Sequence, residues 1–222
     1  YGGTLTAKNN AAMGTGAVTV NGGVFLVDDG FAIANDIVLA GGEYQRRLTG
    51  SLAHATDATS DLGGVDTHAN LLAGTTVGTT LLTSFSATSA ASNDNFRRSD
   101  VYHFAGTDDE AFALELSFTS TEGGSYLGWL SGGEWTNAVN GNTGNNATGV
   151  MLNYQGSFEE FQAEYGTDLS AYMGAYGMDV NGGITSVWAV LDHNSDFAVI
   201  PEPGTAGLLM LGVLTVLRRR RA

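Results

Sequence analysis

Three diglycines cut the start of the chain into near-equal segments. Gly2-Gly3, Gly22-Gly23 and Gly41-Gly42 are spaced by 20 and then 19 residues. Each is followed by a short strand-like run: Thr4-Leu5-Thr6, Val24-Phe25-Leu26-Val27 and Glu43-Tyr44-Gln45. Leu5, Phe25 and Tyr44 each stand two places after their second glycine, and Val18 and Val20 recur nineteen residues later as Ile37 and Leu39. A unit of about twenty residues with two or three strands cannot bury its apolar face alone and must stack on the next unit, which is the logic of a β-solenoid; an ordinary Gly-rich β-meander is the alternative. Alternate strand residues point inward, so Leu5, Phe25, Val18, Val20, Ile37 and Leu39 are the expected inner stacks. The glycines are expected at corners, where positive φ or close backbone approach is needed.

Composition agrees with a mainly β chain. There are 32 glycines and only two prolines among 222 residues, a balance that favours short strands and tight turns over helices. Four of the nine basic residues are Arg218, Arg219, Arg220 and Arg221, so residues 1 to 217 hold five basic groups against 23 acidic ones, a net charge of −18. Such a body repels nucleic acid and anionic lipid, which bind through clustered Lys and Arg. There is no cysteine, which removes disulfides, thiolate chemistry and cysteine-ligated metals. The chain opens at Tyr1 inside a repeat unit, with no initiator Met and no apolar leader. The expectation is therefore a fragment, with a secretion signal and further rungs upstream.

The stretch Asn10-Ala11-Ala12-Met13-Gly14-Thr15-Gly16-Ala17-Val18-Thr19-Val20-Asn21-Gly22-Gly23 resembles the autotransporter-associated β-strand repeat, whose units build right-handed β-helices in large exported bacterial proteins. The resemblance covers roughly residues 1 to 42. The next diglycine, Gly63-Gly64, is followed by Val65-Asp66-Thr67-His68, which breaks the apolar pattern. Residues 51 to 99 read as a polar transition with apolar pulses at Leu71-Leu72 and from Val77 to Leu82, and Asp94, Arg97, Arg98 and Asp100 as a solvated junction. The first domain is taken as 1–92, with a boundary near Asn93.

From Asp100 the pattern changes. Phe112, Leu114, Leu116 and Phe118 alternate with Ala113, Glu115, Ser117 and Thr119, the period of a half-buried strand. Further strands are expected at 101–104, 126–130, 134–139, 185–191 and 197–200. Glu122-Gly123-Gly124, Ser131-Gly132-Gly133 and Asn181-Gly182-Gly183 are expected hairpin turns. A helix starting at Ser157, with Glu160 at capping-box spacing, is expected to present Phe158, Phe161 and Tyr165 on one face, with a second short turn through Leu169, Tyr172, Met173 and Tyr176. Residues 93–200 then make a small antiparallel β-sandwich with a helical insert. The runs around Trp129, Trp135 and Trp188 look like a sandwich module that precedes the same kind of tail in other exported proteins and carries no activity we can assign.

Residues 201–222 form that tail: Pro201-Glu202-Pro203, Gly204, an apolar run to Leu217, then Arg218 to Arg221 and Ala222. It resembles the PEP-CTERM sorting signal in all three parts and their order. Residues 204–217 as a helix span about 21 Å, short against a hydrocarbon core of about 30 Å. Terminal arginines hold the cytoplasmic side and snorkel across the mismatch, leaving the acidic body on the far side. The resemblance implies sorting and processing near Pro201 to Pro203 by an exosortase, a membrane protease, with the chain anchored in the inner membrane until then.

Catalytic patterns are not found. His54, His68, His103 and His193 are scattered with no paired ligand spacing, there is no G-x-S-x-G elbow, and no cofactor is expected. Asp108-Asp109-Glu110 and the pair Asp192, Asp196 offer oxygen ligands for Ca²⁺, though neither has the spacing of a calcium loop and solvated turn carboxylates are the preferred reading. The expected fold is mainly β: solenoid, sandwich and a C-terminal single apolar helix. The expected function is a non-catalytic surface or matrix protein whose partners are the exosortase, the membrane and an extracellular polysaccharide. The rivals are a glycan-binding or polysaccharide-cleaving β-helix and an autotransporter passenger, the latter disfavoured because the chain ends in one apolar helix where a barrel would be needed.

Overall fold

The computed structural model describes residues 2–11, 13–53, 58–89, 97–107, 110–121, 123–144, 146 and 153–202. Among these residues fifteen strands run in chain order: β1 (Thr4–Ala7), β2 (Val18–Val20), β3 (Val24–Val27), β4 (Ile37–Leu39), β5 (Glu43–Ser51), β6 (Ala58–Ser60), β7 (Thr67–Thr88), β8 (Val101–Ala105), β9 (Phe112–Thr119), β10 (Ser125–Ser131), β11 (Glu134–Asn137), β12 (Asn153–Gln155), β13 (Tyr176–Asn181), β14 (Ile184–Leu191) and β15 (Ser195–Pro201). The described residues also contain one α-helix, α1 (Phe158–Tyr165), and 3₁₀ turns at Ala138–Gly141 and Leu169–Tyr172.

The first six strands form a β-solenoid whose register is the sequence period itself. Leu5 pairs with Phe25 and Phe25 with Tyr44, all in parallel strands. On the other wall Val18 pairs with Ile37, Val20 with Leu39, and Ile37 with Ala58. Phe25, Ile37 and Leu39 are 2% exposed or less and Val20 is buried, as the alternation requires. Leu5 is the exception at 56% exposed: among the described residues β1 pairs only with β3. At the corner, Gly23 has φ 74, and a Cβ there would stand 2.5 Å from the Gly3 carbonyl oxygen of the rung before. Only glycine meets both demands.

The two walls do not end with the solenoid. β7 pairs antiparallel with β6 and β9 through its first third and with β5 and β8 through its last, so one 22-residue strand belongs to both walls. It bends at Gly74, where φ is 143 and a Cβ would meet Leu52 and the Ala111 carbonyl at about 3 Å. Beyond it, one wall continues β8-β15-β10-β11 and the other β9-β14-β13-β12, antiparallel except for the last pair. The expected boundary at Asn93 lies outside the described residues. The strands on either side of it, β7 and β8, pair over five positions from Ser84↔Ala105 to Thr88↔Val101, and one buried cluster runs from Ala7 to Val199.

Three sequence expectations change in this light. The polar transition after residue 50 contains β7, the longest strand. The turn at Gly123-Gly124 is not a hairpin: β9 lies in one wall and β10 in the other, and the chain crosses between them there. Tyr176, expected to continue a helical turn, opens β13 instead. The other two turns are two-residue hairpins, with Ser131 facing Glu134 and Asn181 facing Ile184 across paired positive-φ glycines. The helix forms as expected, with Ser157 and Glu160 capping each other's backbone N–H groups. It covers the outer face of β9 and β14, where Phe158 and Phe161 pack with Ala113, Trp188 and Val190.

All three tryptophans stand beyond residue 128, so their fluorescence reports only on the antiparallel part. Phe25→Ala, a solenoid change worth about 3–5 kcal/mol, is expected to shift the tryptophan unfolding midpoint as far as the circular-dichroism midpoint. Two separated transitions would show that the halves unfold independently.

Candidate functional site

The expected sorting motif begins where the last described strand ends. Pro201 is the final residue of β15, half-buried and in register with Ser125 of β10. Glu202 is exposed, and its backbone N–H donates to the Gly124 carbonyl at 2.7 Å. Its carboxylate lies close enough to Tyr126 and Tyr176 to add to burial in raising both phenols above their ordinary value. Pro203, Gly204 and Arg218 to Arg221 lie outside the described residues, as does the apolar run between them. Among the described residues no helix is long and apolar enough to cross a membrane.

Of the expected junction charges, Asp94 lies outside the described residues, and Arg97, Arg98 and Asp100 have structural contacts. Asp100 is 1% exposed; its carboxylate accepts from the Ser60 hydroxyl at 2.7 Å and from the Leu62 and Gly63 N–H groups at 2.8 Å each. It thereby fastens the turn between β6 and β7 to the start of β8, which corrects the solvated reading. Arg98 donates to the Gly123 carbonyl and the Ser125 hydroxyl, and Arg97 lies 5.5 Å over the Trp135 ring. On the solenoid, Lys8, Asp28 and Arg47 repeat the 20- and 19-residue spacing, and Asp28 binds both cations, Arg47 at 2.8 Å and Lys8 at 3.5 Å. The Arg47 hydrogen bond holds the Asp28 carboxyl below its ordinary value, against some desolvation.

The carboxylates considered for Ca²⁺ go to different places. Asp192 is buried and accepts from the Thr143 N–H and hydroxyl and from the Gly144 N–H at 2.7–3.0 Å. Asp196 pairs with His103 at 2.9 Å. Asp108 and Asp109 lie outside the described residues, and among those described no group of three or more His, Cys, Asp or Glu is placed to hold a metal. Of the histidines, His68 pairs with Asp66 at 3.6 Å, His54 is not described, and His193 is 8% exposed beneath Trp129 and Phe197 with Nε2 donating to the Ala138 carbonyl at 2.9 Å. Trp188 is fully buried and donates to the Gly156 carbonyl, so it packs and does not face a ligand.

A cleft of about 560 Å³ opens beside α1, with Ser51, Gly74, Glu110, Gln162, Asp168 and Ser170 among its lining. Its described lining residues offer hydroxyls, one amide and two carboxylates, with no histidine, lysine or arginine among them. Asp168 is engaged in part as a cap, accepting from the Ser170 N–H at 3.1 Å. Sequence reasoning did not find this cleft, since residues 51, 110 and 168 carry no shared local signal.

No family model, no curated protein and no solved structure matches the chain. The fold and the sequence are the whole basis for a functional reading.

Two measurements follow from the buried polar groups. Asp100→Ala strands the three donors it serves and is expected to cost about 3 kcal/mol, with Asp100→Asn costing less; denaturant midpoints decide it. Burial holds the His193 imidazole below its ordinary value, with the Ala138 carbonyl and Asp192 only partly offsetting this. The unfolded chain therefore takes up a proton at a pH where the folded chain does not. The stability tied to His193 is present above about pH 6.5 and is lost as the pH falls below that value. The urea midpoint of wild type is expected to fall more steeply than that of His193→Gln between about pH 7 and about pH 5; equal slopes would remove His193 from the account.

Proposed function

We propose that the chain is an exported, non-catalytic component of a bacterial cell surface or extracellular matrix. Residues 1–92 serve as a solenoid stalk of autotransporter-associated type, 93–200 as a β-sandwich cap, and 201–222 as a PEP-CTERM-type tail with a C-terminal apolar helix. The observation that carries this reading is the order of parts in the tail: Pro201-Glu202-Pro203, an uncharged apolar run, and four arginines. The partner is an exosortase-type membrane protease. The apolar run holds the chain in the inner membrane beforehand, arginines on the cytoplasmic side and the acidic body outside. An extracellular polysaccharide is the proposed neighbour after release.

Two further observations support it. The last described strand stops at Pro201, so a tail can be removed without taking a strand from the body. The carboxylates, histidines and tryptophans that chemistry might have used are largely committed to capping, pairing and packing.

The test is fractionation of the cells that make the protein. Wild type is expected at the surface without residues 218–221, and a Glu202→Ala/Pro203→Ala variant is expected to keep its full mass in the membrane fraction. Identical mass and location for the two would reject the sorting assignment.

A further inference from the structure

We propose that the fold itself limits where the tail can be removed: the peptide bonds of β15 are held in the sheet, and the mature C terminus is Glu202 or a later residue. This rests on the sorting reading above and adds to it the position of the cut.

The geometry is that of a central strand. β15 lies between β8 and β10. On the β10 side it pairs continuously, Phe197 with Trp129 through Pro201 with Ser125, and the Glu202 N–H extends that ladder by one bond to Gly124. On the other side, Ser195 to Phe197 pair with β8, and Val199 is held by both its groups: its N–H donates to the Ser99 hydroxyl at 2.8 Å and its carbonyl accepts from the Arg98 N–H at 2.9 Å. Phe197, Ala198 and Val199 are fully buried and Ile200 is 5% exposed. The Arg98 side chain ties down the opposing segment through the Gly123 carbonyl and Ser125 hydroxyl.

A protease binds its substrate as an extended strand and needs free backbone groups around the scissile bond. From Phe197 to Val199 these groups are taken on both edges, and from Phe197 to Ile200 the side chains are core. Cutting there requires β15 to leave the sheet, a local opening that exposes four apolar residues. Glu202, just past β15, is the first residue after that core whose side chain is exposed, and its N–H is held on the β10 side.

The two prolines of the chain, Pro201 and Pro203, make a direct test. The purified full-length chain in mild detergent is treated with a proline-specific endoproteinase and the products are weighed. The folded chain is expected to be cut after Pro203, with cleavage after Pro201 slower by on the order of a hundredfold, and the two sites to become comparable in urea. Arg98→Ala is expected to narrow the difference in the folded state. Comparable native cleavage at both prolines would overturn the proposal. So would a form recovered from cells that ends before Glu202, while leaving processing itself intact. Recovery of uncut chain alone would instead reject the sorting reading, with the proteolysis result standing independently.

Discussion

The structure depends on inward-facing columns of side chains that pass from rung to rung without regard to strand direction. Leu5, Phe25, Tyr44, Phe85 and Phe104 are successive register partners in one wall. The first three sit on parallel strands, the last two on antiparallel ones. Phe85 and Phe104 rings are 4.8 Å apart and Phe104 meets Phe112 at 5.0 Å, within the range where aromatic pairs attract beyond simple burial. In the opposite wall the column Val18, Ile37, Ala58, Ala69, Leu116, Val187 crosses the same switch. Side chains pack by face and spacing, and both are common to parallel and antiparallel strands. One core can therefore serve two kinds of pairing, provided a single strand carries the register across, as β7 does.

The solenoid was legible because its repeat and its register are one quantity. Each diglycine places Leu5, Phe25 or Tyr44 at the same height, and the pairing follows with no long-range information. Alternation likewise exposed β9, and the Ser157–Glu160 capping box exposed α1, since both are local signals. β7 was hidden by its composition: Ala, Thr and Gly fill its middle, and its apolar positions are inward only relative to walls that lie far off in sequence. β13 was hidden because the spacing of Leu169, Tyr172, Met173 and Tyr176 suits a helix, yet after the 3₁₀ turn Tyr176 to Asn181 find a complete partner in β14. Which wall a strand joins after Gly123-Gly124 is decided by packing, not by turn residues.

The polar sites divide in the same way. Pro201-Glu202-Pro203 stands out in sequence because the chain has no other proline. Asp100 and Asp192 do not, because a carboxylate that will be buried looks like one that will be solvated until its donors arrive from Ser60, Leu62 and Gly63, or from Thr143 and Gly144, some forty to fifty residues away. A buried carboxylate must find such donors, since an unmatched charge in the interior is costly. These two residues act as clasps between distant loops.

The order in which strands appear along the chain differs from their order in space, and this bears on folding. β15, the last described strand, fills the gap between β8 and β10, whose residues precede it by about a hundred and about seventy positions. Contacts that close such long loops form slowly. The solenoid rungs can nucleate from neighbours nineteen or twenty residues apart, but that wall stays open until residue 201 has left the ribosome. The rungs can therefore form while the gap between β8 and β10 is still unfilled, and the antiparallel part is the later one to close.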